Sequence, residues 1–168
     1  MSLQEALSNY HNSLYYNEEW HRLAIDGDVD SIVNIGTDFA RSDMMDYAVA
    51  CWQYVIDAGH GTAEAYSNLG VSYYYGNGVS QDYKKAVQYY QRAAAKGHPF
   101  GMYNLAVACE YGNGTPIDMD KAVKYYRMAA DEGVNQAIDA LIRLGLYDEI
   151  NGFAFYSRNL NDDSFSLF

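Results

Sequence analysis

The fold of this chain is decided by residues 68–97, NLGVSYYYGNGVSQDYKKAVQYYQRAAAKG, and by their copy at residues 104–133, NLAVACEYGNGTPIDMDKAVKYYRMAADEG. The two stretches match at a constant offset of 36 residues. Self-similarity at a fixed period predicts structural units that stack on one another. The identical pairs include Asn68/Asn104, Leu69/Leu105, Tyr75/Tyr111, Gly76/Gly112, Gly78/Gly114, Asp82/Asp118, Lys85/Lys121, Ala86/Ala122, Tyr89/Tyr125, Tyr90/Tyr126 and Gly97/Gly133.

Each copy predicts a pair of helices. In the first half, Tyr66, Leu69 and Tyr73 recur at spacings of three and four, which places them on one helical face. The second half has the same periodicity and ends at Gly97, a residue suited to the left-handed conformation in which helices commonly stop. Gly-Asn-Gly at residues 76–78 separates the two halves. Each unit is therefore predicted to be a helical hairpin.

Weaker copies of the unit extend the pattern in both directions. An aromatic residue followed by glycine seven residues later marks each second helix, at Trp20/Gly27, Trp52/Gly59, Tyr90/Gly97 and Tyr126/Gly133. We expect one helical-repeat domain at residues 1–146, comprising a degenerate amino-terminal hairpin at 1–27, a tetratricopeptide-like repeat at 28–60, full repeats at 61–97 and 98–133, and a capping helix at 134–146.

Residues 147–168 break the pattern and form an aromatic, acidic tail. Five of its aromatic residues are Phe153, Phe155, Tyr156, Phe165 and Phe168. Aromatic side chains in such number are expected to pack on something. The tail is expected to cover the open end of the last repeat, and the alternatives are docking in its own groove or a neighbour's, or disorder.

The repeated motifs resemble those of the Sel1-like repeat family, a relative of the tetratricopeptide repeats. The resemblance rests on Asn-Leu-Gly at 68–70, Tyr-Gly-Asn-Gly-Val at 75–79, Lys-Lys-Ala at 84–86, Tyr-Tyr at 89–90, and the copies of these motifs within 104–133. It implies an all-α fold, an α/α right-handed superhelical solenoid of stacked helical hairpins. It also implies a non-catalytic adaptor that binds other proteins.

The charge of the chain narrows the class of partner. The sequence holds 22 acidic and 11 basic residues, a net charge of −11, and ten of the acids but only two of the bases lie in residues 1–60. A lysine or arginine stripe is absent, so nucleic acid and anionic membranes are not expected as partners. No apolar run could span a bilayer and no secretory signal is visible, which predicts a soluble, cytoplasmic protein.

Motifs that would carry chemistry are weak. Asp26, Asp28 and Asp30 match the start of a calcium loop, but its turn glycine and its bidentate glutamate are missing. Cys51 and Cys109 occupy non-equivalent positions, so the disulfide staples of the secreted, cysteine-rich members of the family are not expected. The histidines lack metal-ligand spacing. We therefore expect no enzymatic activity, no metal and no cofactor.

The candidate binding surface is one side of the first helices, which line the concave groove of tetratricopeptide modules. Spacings of three and four keep each set of residues on one side of its helix. The predicted partner-binding residues are Glu64, Ser67, Val71 and Tyr74 in one unit, Phe100, Tyr103, Val107 and Glu110 in the next, and Gln136, Asp139 and Arg143 in the last helix. Asp30, Val33 and Thr37 extend the same line toward the amino end.

This surface predicts a protein or peptide partner. Rigid aromatic side chains lose little rotamer freedom on contact, so Tyr74, Phe100 and Tyr103 are expected to be anchors, with Glu64 and Glu110 as a polar rim. Such a groove favours a segment with apolar and basic residues. Three alternatives stay open: burial of some of these side chains between units, a site for an enzyme or small ligand between superhelix and tail, and a self-assembling structural unit.

Overall fold

Helices follow one another along residues 1–146, the part of the chain that the computed structural model describes. This part contains no β-strand, so the all-α prediction is confirmed. The predicted tail at 147–168 lies outside the described residues. The helices are α1 (Leu3–Asn9), a 3-10 helix (Tyr10–Asn12), α2 (Glu18–Ile25), α3 (Val29–Arg41), α4 (Met45–Asp57), α5 (Ala63–Tyr75), α6 (Tyr83–Ala95), α7 (Pro99–Tyr111), α8 (Met119–Asp131) and α9 (Asn135–Arg143).

The second helix of each full repeat begins at a capping aspartate. The Asp82 carboxylate accepts a hydrogen bond from the backbone N–H of Lys85 at 3.0 Å, and Asp118 accepts one from Lys121 at 2.9 Å. A cap of this kind satisfies an amide that has no partner within the helix and contributes about 1 kcal/mol. The two copies therefore repeat their local structure as well as their sequence.

The loop inside each full repeat touches the hairpin before it. Gly78 has φ of +69°, and a Cβ added there would lie 2.7 Å from the carbonyl oxygen of Met45, where α4 begins. Gly114 has φ of +77°, and a Cβ there would overlap the carbonyl oxygen of Tyr83, where α6 begins. Glycine is required at both positions because the backbones approach so closely. We call these two contacts the loop brackets.

Close approach also sets the packing inside a hairpin. The ring of Tyr90 in α6 lies against Gly70 in α5, where a Cβ would come within 2.5 Å of the Tyr90 Cδ1 atom. Buried side chains form one cluster over α1 to α5 and another over α6 to α9, and the half-buried Tyr73 packs against both. The core is therefore continuous along the solenoid, as expected when each unit buries its apolar face on its neighbours.

Helices α5 and α7, the first helices of the two full repeats, lie on the inner side of the curve. Helix α5 contacts α7 directly, whereas α6 and α8 make at most slight contact. Neighbouring elements approach more closely on the inside of a curve than on the outside, so α5 and α7 lie on the concave side. We call the surface formed by α3, α5, α7 and α9 the first-helix face.

Candidate functional site

An open cleft lies at the carboxy-terminal end of the first-helix face, between α7 and α9. Its volume is about 360 Å³. Five of its lining residues, Tyr103, Val107, Gln136, Asp139 and Arg143, come from the predicted set. The other lining residues are Tyr111, Tyr126 and Ala140. We call this site the α7–α9 cleft.

Glu110 joins three helices at the edge of this cleft. Its Oε2 atom accepts hydrogen bonds from the Tyr126 hydroxyl at 2.7 Å and from Arg143 Nη2 at 2.8 Å, and that nitrogen lies 2.6 Å from Oε1. The Glu110 side chain is 7% exposed, whereas that of Arg143 is 50% exposed. Glu110 is thus a mostly buried charge that is paired within the chain, and its contact with a partner as a polar rim stays a prediction.

The hydrogen bonds among Glu110, Tyr126 and Arg143 fix the protonation states of these three side chains. Burial alone would raise the pKa of Glu110, but the hydrogen bonds from Tyr126 and Arg143 outweigh burial and hold the pKa below its usual value. The hydrogen bond that Arg143 donates to Glu110 raises the pKa of Arg143. Burial, followed by the bond to Glu110, raises the pKa of Tyr126 well above its ordinary value. All three groups therefore keep one protonation state around neutral pH.

Tyrosine rings form the wall of the cleft. The ring of Tyr103 lies 5.9 Å from that of Tyr126 at an interplanar angle of 49°. Tyr126 is 1% exposed and forms the base, whereas Tyr111 is 57% exposed. The cleft thus combines one fixed ring with others that keep a free surface for a ligand to contact.

The α5 part of the predicted surface is mainly structural. Ser67 is 3% exposed, because α5 is flanked by other helices on both sides and the small side chain is covered, and its contact with a partner stays a prediction. Glu64 accepts a hydrogen bond from Thr37 at 3.0 Å. The Tyr74 hydroxyl accepts one from Asn113 Nδ2 at 2.7 Å, and Val71 is half-buried against the core.

The start of α7 presents the exposed ring of Phe100. Nearby, His98 caps the helix, because its Nδ1 atom accepts a hydrogen bond from the backbone N–H of Gly101 at 3.1 Å. Burial lowers the pKa of His98, and the charge of Glu64 opposes this shift. The cap needs a neutral imidazole, since a protonated Nδ1 cannot accept.

Acid is expected to weaken this cap. Because the pKa of His98 in the folded state lies below its ordinary value of 6.5, the unfolded chain takes up the proton first. The contribution of the cap, about 1 kcal/mol, is complete above that value and is lost as the pH falls through the folded-state pKa. Urea unfolding at neutral and at mildly acidic pH measures the loss.

The matched variant for this measurement is His98→Asn, which retains an acceptor that does not titrate. The two proteins differ only at residue 98, so the difference between variant and parent isolates His98. The variant is expected to lose less stability on acidification. An equal loss in both proteins would contradict the role of His98 as a pH-sensitive cap.

Two features bear on other classes of function. Among residues 1–146, no three histidine, cysteine, aspartate or glutamate side chains come together in a way that could hold a metal ion. None of the helices in that range is both long and apolar enough to cross a bilayer.

The family model of the Sel1 repeat matches the chain twice, at residues 63–98 and 99–134. These segments hold the hairpins α5–α6 and α7–α8, and the resemblance drawn from the motifs is confirmed. None of the curated proteins is significantly similar in sequence to the chain.

Solved structures with a similar fold include a protective antigen of uropathogenic Escherichia coli that displays an SLR fold. Its TM-score is 0.67, and its sequence is 28% identical over 77% of this chain and 29% of the antigen. A Sel1 repeat protein from Oxalobacter formigenes has a TM-score of 0.67 and 24% identity over 76% of this chain and 53% of that protein. Helicobacter pylori cysteine rich protein B has a TM-score of 0.59 and 21% identity over 71% of this chain and 93% of that protein. The predicted solenoid fold is confirmed, and the chain spans less than a third of the antigen and about half of the Oxalobacter protein.

Proposed function

We propose that this chain, which carries two Sel1 repeats, captures a segment of another protein in its α7–α9 cleft and on the neighbouring first-helix face. Sel1 repeats commonly mediate protein–protein interaction, and the family is generally a non-enzymatic scaffold. The observation that carries the proposal is an open cleft with exposed tyrosine surface beside polar groups that are already paired with one another.

The paired groups favour binding over acid–base chemistry. A general acid or base works best when its pKa lies near the operating pH. Hydrogen bonding lowers the pKa of Glu110 despite the burial of its side chain and raises the pKa of Arg143, so both values move away from neutrality. The same bonds hold the side chains in place before a ligand arrives, which reduces the ordering cost of binding.

The surface of the cleft supports a partner segment with apolar and basic residues. Tyr103, Tyr111 and the nearby Phe100 offer aromatic surface on which apolar side chains can pack. Asp139 and Gln136 are exposed at the edge, and Arg143 is already neutralised by Glu110. With a net charge of −11 on the whole chain, lysine or arginine in the partner is favoured by long-range attraction.

The test is loss of partner capture by a double variant, Tyr103→Ala with Tyr111→Ala. If the two rings act as anchors, affinity for the captured partner is expected to fall by about 100-fold or more, since truncating one anchor costs about 2 kcal/mol. Partners are identified by affinity capture from the native host and mass spectrometry, and their affinity is then measured by titration calorimetry.

The matched control is Tyr15→Ala, which removes a similarly exposed tyrosine that does not line the cleft. It is expected to capture the same partners as the parent. Circular dichroism must show equal helix content in all three proteins. Equal capture by the double variant and the parent would reject the cleft as the binding site.

A further inference from the structure

A second and larger cleft lies near the opposite end of the described chain, between α1, α2 and α4. Its volume is about 640 Å³, within the range of about 300 to 1,000 Å³ typical of ligand sites. Helix α1 packs mainly on α4 and touches α2 only slightly, which leaves the space between them open. We call this site the amino-terminal cleft.

The lining of this cleft is predominantly apolar. Leu7 and Ala24 are buried in it, while Ile25 is 65% exposed and Tyr54 is also exposed. Leu3 of α1 adds a further aliphatic side chain. Large apolar side chains exposed together around a concave surface mark interaction sites, whereas single exposed ones need no explanation.

The charge around the cleft is negative. Asp26 and Asp28 flank Gly27, which lines the cleft, and Asp57 follows Tyr54 by three residues and lies on the same side of α4. Asp28 accepts a hydrogen bond from the backbone N–H of Ser31 at 2.9 Å, and its bonds to Ser31 lower the pKa of this aspartate, so it stays ionised.

Few positive charges lie near enough to offset these aspartates. Residues 1–60 contain ten acidic residues and two basic ones, a net charge of 2 − 10 = −8. The two bases are Arg22 and Arg41, and Arg41 lies 3.6 Å from Asp38. An apolar cleft with an acidic border is complementary to an amphipathic helix that carries lysine or arginine beside its apolar ridge.

We propose that the amino-terminal cleft binds a basic amphipathic helix of another protein, at a site separate from the α7–α9 cleft. Apolar side chains of the partner, spaced by three and four residues, contact Leu7, Ala24, Ile25 and Tyr54. Its basic residues face Asp26 and Asp57. The chain would then hold two partner segments at once, one on each cleft.

A second copy of this chain is a poorer occupant than a separate protein. Within residues 1–146, the helices that contain the most basic residues are α6 and α8. Their apolar sides are already buried, through Ala86, Val87 and Tyr90 in α6 and through Ala122, Tyr126 and Ala129 in α8. They offer positive charge but no free apolar ridge, and the cleft requires both.

The test uses a synthetic helix of leucine and lysine, LKKLLKLLKKLLKL, labelled with fluorescein, and the full chain. Fluorescence anisotropy is expected to show saturable binding to the parent, and a peptide with glutamate in place of lysine is expected not to bind. Ile25→Ser is expected to weaken binding about tenfold, since it removes the most exposed aliphatic contact of the cleft.

The matched control is Ile117→Ser, which changes an isoleucine of almost the same exposure, 68%, outside the cleft. A second comparison uses two double variants. The first combines Asp26→Asn and Asp57→Asn, and the second combines Asp120→Asn and Asp131→Asn, with all four residues at exposed positions. The first double variant is expected to weaken binding and to reduce its dependence on salt, whereas the second is expected to match the parent.

Three outcomes would overturn the proposal. Equal binding by Ile25→Ser and Ile117→Ser would show that the peptide is held by general charge attraction. If the glutamate peptide bound as tightly as the lysine peptide, the acidic border would make no contribution to binding. Sedimentation showing a dimer of the chain that Ile25→Ser dissociates would assign the cleft to a second copy. The Tyr103→Ala, Tyr111→Ala protein is expected to bind the peptide normally, so failure here is distinguishable from failure of the α7–α9 cleft.

Discussion

Replacement of Tyr126 by alanine is expected to lower the free energy of unfolding by about 4 kcal/mol. The Tyr126 ring is 1% exposed and packs in the carboxy-terminal core cluster, and its hydroxyl donates to Glu110 at 2.7 Å. The substitution leaves a cavity where the ring was and removes one of the hydrogen-bond donors of a buried carboxylate. Urea unfolding followed by circular dichroism measures the loss.

Conservative variants separate packing from hydrogen bonding in this loss. Tyr126→Phe keeps the ring and removes only the bond to Glu110, so a loss of about 1.5 kcal/mol is expected. Tyr90 holds the equivalent position in the preceding repeat, and its hydroxyl makes no hydrogen bond within the described residues. Tyr90→Phe is therefore expected to leave stability unchanged. Equal effects of the two phenylalanine variants would contradict the role of Glu110.

Replacement of Gly114 by alanine is expected to destabilise the chain by about 3 kcal/mol. A left-handed backbone, with φ of +77°, is unfavourable for alanine, and the new Cβ would overlap the carbonyl oxygen of Tyr83. The overlap is with backbone, so rotation of a side chain cannot relieve it. Thermal and urea unfolding of the full chain measure the cost.

Gly133→Ala is the control for Gly114→Ala. Gly133 has φ of +83°, but a Cβ there would meet nothing within 4 Å. Only the backbone strain applies, so a loss of about 1 kcal/mol is expected. The difference between the two variants measures the contact between loop and hairpin. If both variants lost the same free energy of unfolding, the close contact at Gly114 would add nothing to the cost of the substitution.

The fold was predictable because local and global signals agree in the repeated units. The offset of 36 residues, the periodic apolar positions and the glycines after each helix all predict the same hairpin. Asp82 and Asp118 then cap the second helices at equivalent positions. Such agreement between levels is what allows a sequence to specify a structure.

The candidate site was only partly predictable because it lies between helices. A spacing of three and four along α7 identified Tyr103 and Val107, but the next step of three leads to Glu110, and the neighbouring Tyr111 was missed. Tyr126 packs in the core and also forms the base of the cleft. Whether Tyr111 and Tyr126 line the cleft depends on how neighbouring hairpins are inclined to one another.

The exposure of the predicted residues was not predictable for the same reason. Ser67 is on the predicted side of its helix, but flanking helices cover that side. Glu110 has the expected position on α7, yet the pairing with Arg143 across to α9 uses its charge internally. Helical periodicity gives the direction of a side chain, whereas its exposure depends on the units packed beside it.

The loop brackets form in a fixed order during synthesis of the chain, because each glycine contacts a hairpin that precedes it in the sequence. Gly78 lies 78 − 45 = 33 residues after Met45, and Gly114 lies 114 − 83 = 31 residues after Tyr83. On the ribosome, each bracketed hairpin is therefore complete before the residue that secures it has been synthesised. A chain whose translation is interrupted between the two full repeats therefore has the contact of Gly78 on the α3–α4 hairpin but still lacks the contact of Gly114 on the α5–α6 hairpin.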